Sequence, residues 1–82
     1  MADFKSEWEK VKKAGDWEAA LKLVKPLAEQ GDAEAQSKLG FMYASGQGVT
    51  QDDEEAVKWF RLAAEQGDEE AQSALDALVG GT

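Results

Sequence analysis

The side chains that most often do chemistry are scarce in this chain. Its 82 residues include no histidine and no cysteine. The commonest metal ligand, the commonest general base, the disulfide and the thiolate nucleophile are therefore all missing. Carboxylates, ammonium groups, hydroxyls and glycines remain. Tyr43 and Ser37 offer hydroxyls, but a hydroxyl nucleophile with no base to take its proton is inert. Gly46-Gln47-Gly48 has the outline of a phosphate cradle. It lacks the Gly-Lys-Ser/Thr of a P-loop and the third glycine of a dinucleotide turn, and no strand precedes it. The acidic runs Asp52-Asp53-Glu54-Glu55 and Asp68-Glu69-Glu70 lack calcium-loop spacing. They fall where helices are expected to begin, and acids there cap the first turn and complement the helix dipole. No catalytic residue, no cofactor and no metal ligand is expected, and the chain is read as a non-enzyme.

Charge narrows the partners further. Seventeen acids face nine bases, for a net charge of −8. Residues 1–25 hold six lysines against five acids, while the remainder holds three bases against twelve acids. Bulk charge of this sign does not favour nucleic acid or anionic lipid. The asymmetry fits simple solubility, or an N-terminal end that recruits an acidic partner. No apolar run approaches the ~20 residues of a membrane span, and the N-terminus has no apolar secretory segment. A soluble, cytoplasmic protein is the default expectation.

The elements that must position these groups announce themselves by repetition. Residues 28–39 read AEQGDAEAQSKL and residues 64–75 read AEQGDEEAQSAL, matching at ten of twelve positions. The same 36-residue offset pairs Ala20 with Ala56, Lys22 with Lys58 and Val24 with Phe60. A period of this length belongs to stacked helical hairpins. Gly15, Gly31 and Gly67 each precede an aspartate, so each Gly-Asp pair ends one helix and caps the next. The tract 45–55 is a longer corner, where Val49 tucks under the loop and Asp52 with Glu55 has capping-box spacing. Five helices are expected, at about 3–14, 17–30, 33–45, 53–66 and 69–79.

Each helix has an apolar face. These faces are Phe4, Trp8 and Val11; Trp17, Ala20, Leu21, Val24, Leu27 and Ala28; Ala35, Leu39, Met42 and Tyr43; Ala56, Trp59, Phe60, Ala63 and Ala64; and Ala71, Leu75, Leu78 and Val79. The tryptophans are expected in the core, with Trp17 partly exposed at its corner. Pro26 stands inside the second helix, where it costs ~3 kcal/mol. A kink is expected, or a helix that ends near Lys25 and restarts, with a solvent-side bend as the simpler form.

Residues 33–68 resemble one complete Sel-one-like repeat, a relative of the tetratricopeptide repeat. The matching features are Ala35-Gln36, Leu39-Gly40, Met42-Tyr43, Gly46-x-Gly48-Val49, Asp52, Ala56, Trp59-Phe60 and Ala63 through Gly67. Residues 69–79 resemble the first helix of a following repeat. Residues 3–32 resemble a preceding hairpin, departing from the pattern in its short Gly15-Asp16 turn and in Pro26. The resemblance implies an all-α fold over residues 1–82. It would be a right-handed α-α superhelix of about two and a half antiparallel hairpins.

The resemblance also implies a scaffold that binds a protein or peptide in a concave groove lined by the first helix of each hairpin. The groove residues would be Lys5, Glu9, Lys12 and Lys13 on the first helix, Glu34, Ser37, Lys38 and Phe41 on the third, and Glu70, Ser73 and Ala77 on the fifth. Phe41 is then an aromatic anchor flanked by lysines. Alternatively it packs under the Gly46–Gly48 loop and the lysines form a solvated face. The asparagine-based carboxylate clamp of tetratricopeptide domains has no counterpart, since the chain has no asparagine. A second function class is self-association: Leu75, Leu78 and Val79 on the last helix would leave an apolar patch, giving a monomer or a weak homodimer.

Overall fold

The structure, a computed structural model, describes residues 4–80. Its helices are α1 (Phe4–Ala14), α2 (Trp17–Glu29), α3 (Ala33–Ser45), α4 (Asp53–Glu65) and α5 (Glu69–Val79). The expected bounds hold to within a residue, apart from Asp3 and the last two residues, which lie outside the described part. The chain is an all-α hairpin stack, 39 × 24 × 19 Å in extent.

The Gly-Asp corners work as the sequence implies, with one aspartate serving two helices. At Gly31 (φ 102°) the chain turns through the left-handed region that a Cβ disfavours. The Asp32 N–H then donates to the Leu27 carbonyl (3.0 Å), which closes α2. Its carboxylate accepts from the Ala35 N–H (2.9 Å), which opens α3. Asp16 does the same between Val11 O (3.0 Å) and Ala19 N (3.1 Å), and Asp68 between Ala63 O (3.2 Å) and Ala71 N (2.9 Å). Corners this short force consecutive helices to run back along one another.

The longer corner is seated on α2. A Cβ at Gly48 would lie 2.8 Å from the Trp17 carbonyl oxygen, so the loop touches backbone there. Val49 packs against the core below it. The expected capping box is half made. The Asp52 carboxylate accepts from the Glu55 N–H (3.2 Å), but the Glu55 carboxylate turns to Lys58 (3.5 Å) while the Asp52 N–H goes to the Tyr43 carbonyl (3.0 Å).

Two expectations are corrected here. Helix α2 neither ends nor restarts at Lys25; it runs unbroken through Pro26 to Glu29. Pro26 and Lys22 are both exposed, so water can serve the carbonyl that the proline leaves without a donor. Helix α3 buries more than the face of Ala35, Leu39 and Met42. Gln36, Ser37 and Gly40 are buried too, because α2 and α4 enclose the helix from two sides and Glu70 of α5 lies over Ser37. Its polar residues are answered locally. Gln36 donates to the Ala28 carbonyl (3.1 Å) and accepts from Gln66 Nε2 (3.0 Å), which also donates to the Gly31 carbonyl (3.0 Å). Gln36 and Gln66 thus tie one corner to the next. The buried Nε1 of Trp59 has no hydrogen-bond partner.

The core has two parts. Trp8, Ala20, Val24, Ala28, Ala35, Leu39 and Met42 form one, and Ala56, Phe60, Ala63, Ala71 and Leu75 the other. Trp8 is buried, while Trp17 and Trp59 are both partly exposed. The apolar patch expected on α5 is smaller than its sequence suggests. Leu75 is buried, and only Leu78 and Val79 remain exposed.

Helices α3 and α4 approach closely at Gly40. A Cβ there would lie 2.8 Å from Cδ1 and Cε1 of the Phe60 ring. The repeat mate of Gly40 is Asp76, exposed on α5 and accepting from Gln72 (3.2 Å). Gly40→Ala should lower stability by about 1–2 kcal/mol, even after the ~1 kcal/mol gained in helix propensity, because the ring and the α3 backbone must separate. Asp76→Ala should change stability by less than ~0.5 kcal/mol. Urea unfolding of the two variants tests the pair, and equal midpoints would refute the ring-on-glycine contact.

Candidate functional site

Side chains from α1, α3 and α5 meet over a cleft of about 190 Å³. Trp8 and Lys12 come from α1, Lys38 and Phe41 from α3, and Glu70 and Ala74 from α5. Phe60 also reaches the cleft from α4, through the gap that Gly40 leaves. The lining is an apolar and aromatic floor with a charged rim. That is the usual make-up of a recognition pocket.

The aromatic residues support one another. Trp8 meets Trp17 edge-on, with ring centroids 5.9 Å apart and planes at 64°. Trp17 in turn backs Phe41, at 6.2 Å and 45°. Phe41 remains 43% exposed. It is an apolar side chain held from behind with its front open, so burying it against a partner costs little conformational entropy. The groups beneath Gly48 are the Trp17 carbonyl and Met42.

The rim is ion-paired. Lys38 Nζ lies 2.8 Å from Glu70 Oε1 and 5.8 Å from the centre of the Trp8 ring. Ser37 Oγ donates to the same Glu70 oxygen (3.1 Å). The hydrogen bond from Lys38 holds the Glu70 carboxyl below its ordinary value of 4.5, against a partial desolvation that pushes it up. The Lys38 charge, the Ser37 hydroxyl and Lys12 add to the lowering. Lys5 approaches Glu34 at 4.0 Å and Lys12 approaches Glu9 at 3.9 Å, both as exposed pairs that contribute little.

Of the groove residues expected from sequence, Lys12, Lys38, Phe41 and Glu70 line the cleft. Glu9 pairs with the lining residue Lys12, whereas Lys5 and Glu34 pair with each other outside the lining, and Lys13 and Ser73 are exposed outside it as well. Ser37 is corrected. It is 1% exposed and forms part of the wall, because Glu70 of α5 lies over it and accepts a hydrogen bond from its hydroxyl. The expected list omits Trp8, Phe60 and Ala74, since a helical period labels an aromatic as core without saying whether one edge meets solvent. One sign was available. The alignment of repeats places Ala74 where the other copy has Lys38, so one cleft wall is cut back beside a lysine.

Among the described residues, no group of His, Cys, Asp or Glu is arranged to hold a metal ion, and no helix is long and apolar enough to cross a membrane.

The lowered Glu70 pKa has a defined pH signature. A carboxyl whose folded pKa is depressed stabilises the fold above its unfolded pKa and loses that contribution as pH falls through the folded pKa. Glu70→Gln should therefore flatten the acid side of the stability profile, below pH 4.5, and leave its shape near neutrality unchanged. Side-chain NMR titration should show Glu70 ionising below the ordinary value and returning toward it in Lys38→Met. An unmoved midpoint in that variant rules out Lys38 as the cause.

No curated protein and no solved structure matches the chain. The family model of the Sel1 repeat matches residues 33–68, the span from the Asp32 cap through α3, the glycine loop and α4 to the Asp68 corner. Residues 33–68 match one Sel1 repeat, and the five-helix stack around them is consistent with a helical repeat protein of that kind.

Proposed function

We propose that this protein is a non-catalytic binding module that captures a segment of a partner protein in the cleft between α1, α3 and α5. Sel1 repeats generally mediate protein–protein interactions. The observation that carries the proposal is Phe41, exposed at the lip of the cleft and backed by Trp17. Around it stand charged groups of both signs, Lys12, Lys38 and Glu70, which can orient a peptide. An aromatic anchor inside a polar rim is the pattern of an interaction hot spot.

Peptides selected on the full chain from a random library provide the ligand for the test. In an NMR titration, shifts should cluster on Trp8, Lys12, Lys38, Phe41 and Ala74. Phe41→Ala should keep the helical circular dichroism and weaken binding about tenfold. Shifts confined to the outer faces of α2 and α4 would overturn the groove assignment.

A second contact rests on Leu78 and Val79, which are 37% and 62% exposed at the end of the stack. Two copies pairing there would form a weak dimer, opposed by the charge of Asp76 on the same helix. Sedimentation at rising concentration should show the dimer weakening in Val79→Lys. A concentration-independent monomer eliminates it.

A further inference from the structure

Taking the cleft as a peptide site, we propose that Lys38 and Ser37 form a carboxylate subsite that Glu70 fills in the free protein. The incoming segment would be acidic, with an apolar side chain beside its carboxylate. Two donors converge on one oxygen, since Lys38 Nζ and Ser37 Oγ both reach Glu70 Oε1. The donors are fixed and the acceptor is movable. Ser37 is 1% exposed and the Lys38 side chain 18%, whereas the Glu70 side chain is 65% exposed and stands on a different helix. The Trp8 ring below Lys38 keeps the ammonium on the cleft side when Glu70 leaves. Lys12 adds a second positive charge to the same cleft.

The surrounding charge favours the same ligand. Within α1, four lysines face two glutamates, in a chain of net charge −8. An acidic segment is repelled by most of this surface and drawn to the α1 side of the cleft. The apolar neighbour of its carboxylate would rest on Trp8, Phe41 and Phe60, which share the cleft with the donors. Comparison of the two repeat copies points to the same residues. Lys38 and Phe41 have Ala74 and Ala77 as repeat mates, so the proposed subsite and anchor occur once.

Glu70 is then an internal competitor. A ligand carboxylate binds only the fraction of molecules in which Glu70 has let go, and the apparent affinity falls by that fraction. Removing the competitor should strengthen binding of an acidic ligand and of no other.

The probes are three N-acetylated, C-amidated hexapeptides, so that only side-chain carboxylates are offered. They are Asp-Glu-Leu-Phe-Glu-Asp, its Asn/Gln counterpart and its Lys counterpart. Each is titrated into the full chain by calorimetry and NMR. The acidic peptide should bind best and the lysine peptide worst. Glu70→Gln should tighten the acidic peptide about three- to fivefold and leave the neutral one unchanged. Glu70→Asp keeps the charge but shortens its reach, and should tighten the acidic peptide in the same direction. On saturation with the acidic peptide, the Glu70 side chain should titrate closer to its ordinary value. Unchanged or weakened acidic binding in both variants overturns the subsite. A neutral peptide that binds the unaltered chain as well as the acidic one overturns the acidic preference while leaving the groove standing. Absence of shifts at Trp8 and Phe41 with all three peptides overturns the groove itself.

Discussion

The Phe60 ring rests on the backbone of Gly40, where any side chain would intrude. Much of the molecule depends on that contact. It brings α4 close enough to α3 that Gln36 is buried along with the apolar face. It carries Phe60 past α3, so that its ring takes part in the cleft. It also connects the two parts of the core, with Tyr43 packed against both. A chain of this size has little apolar surface to bury, and close backbone approach makes the most of it.

The site follows from that packing. Enclosing α3 on two sides leaves Lys38 and Phe41 facing a third direction, toward α1 and α5. Trp17, itself set against Trp8, then holds Phe41 from behind, and Glu70 meets Lys38 from across the cleft. The aromatic residues provide the adhesive area and the charges provide direction, a division of roles common at protein interfaces.

The repeat separates what is architectural from what is specific. The echoed residues Gln30 and Gln66, Gly31 and Gly67, Asp32 and Asp68 build corners and their ties. Where the copies differ, the structure differs in purpose. Gly40 receives a ring while Asp76 stays in solvent. Lys38 charges one cleft wall while Ala74 trims the opposite one.

Local rules were enough to read the helices from the sequence alone. The Gly-Asp corners and the 36-residue echo place five helices to within a residue, because a positive-φ glycine followed by a capping aspartate depends only on neighbours in the chain. The lysine-rich first helix and Phe41 were legible as the places where the copies diverge. Other features needed the fold. Pro26 sits in an unbroken helix because its face is exposed, and exposure is not a local property. Ser37 lies in the wall instead of on the surface, and Trp8 and Phe60 reach the cleft from what a helical period marks as core. Periodicity assigns each residue a face of its own helix. Only the packing of five helices decides which face meets a neighbour, which meets water, and which meets both.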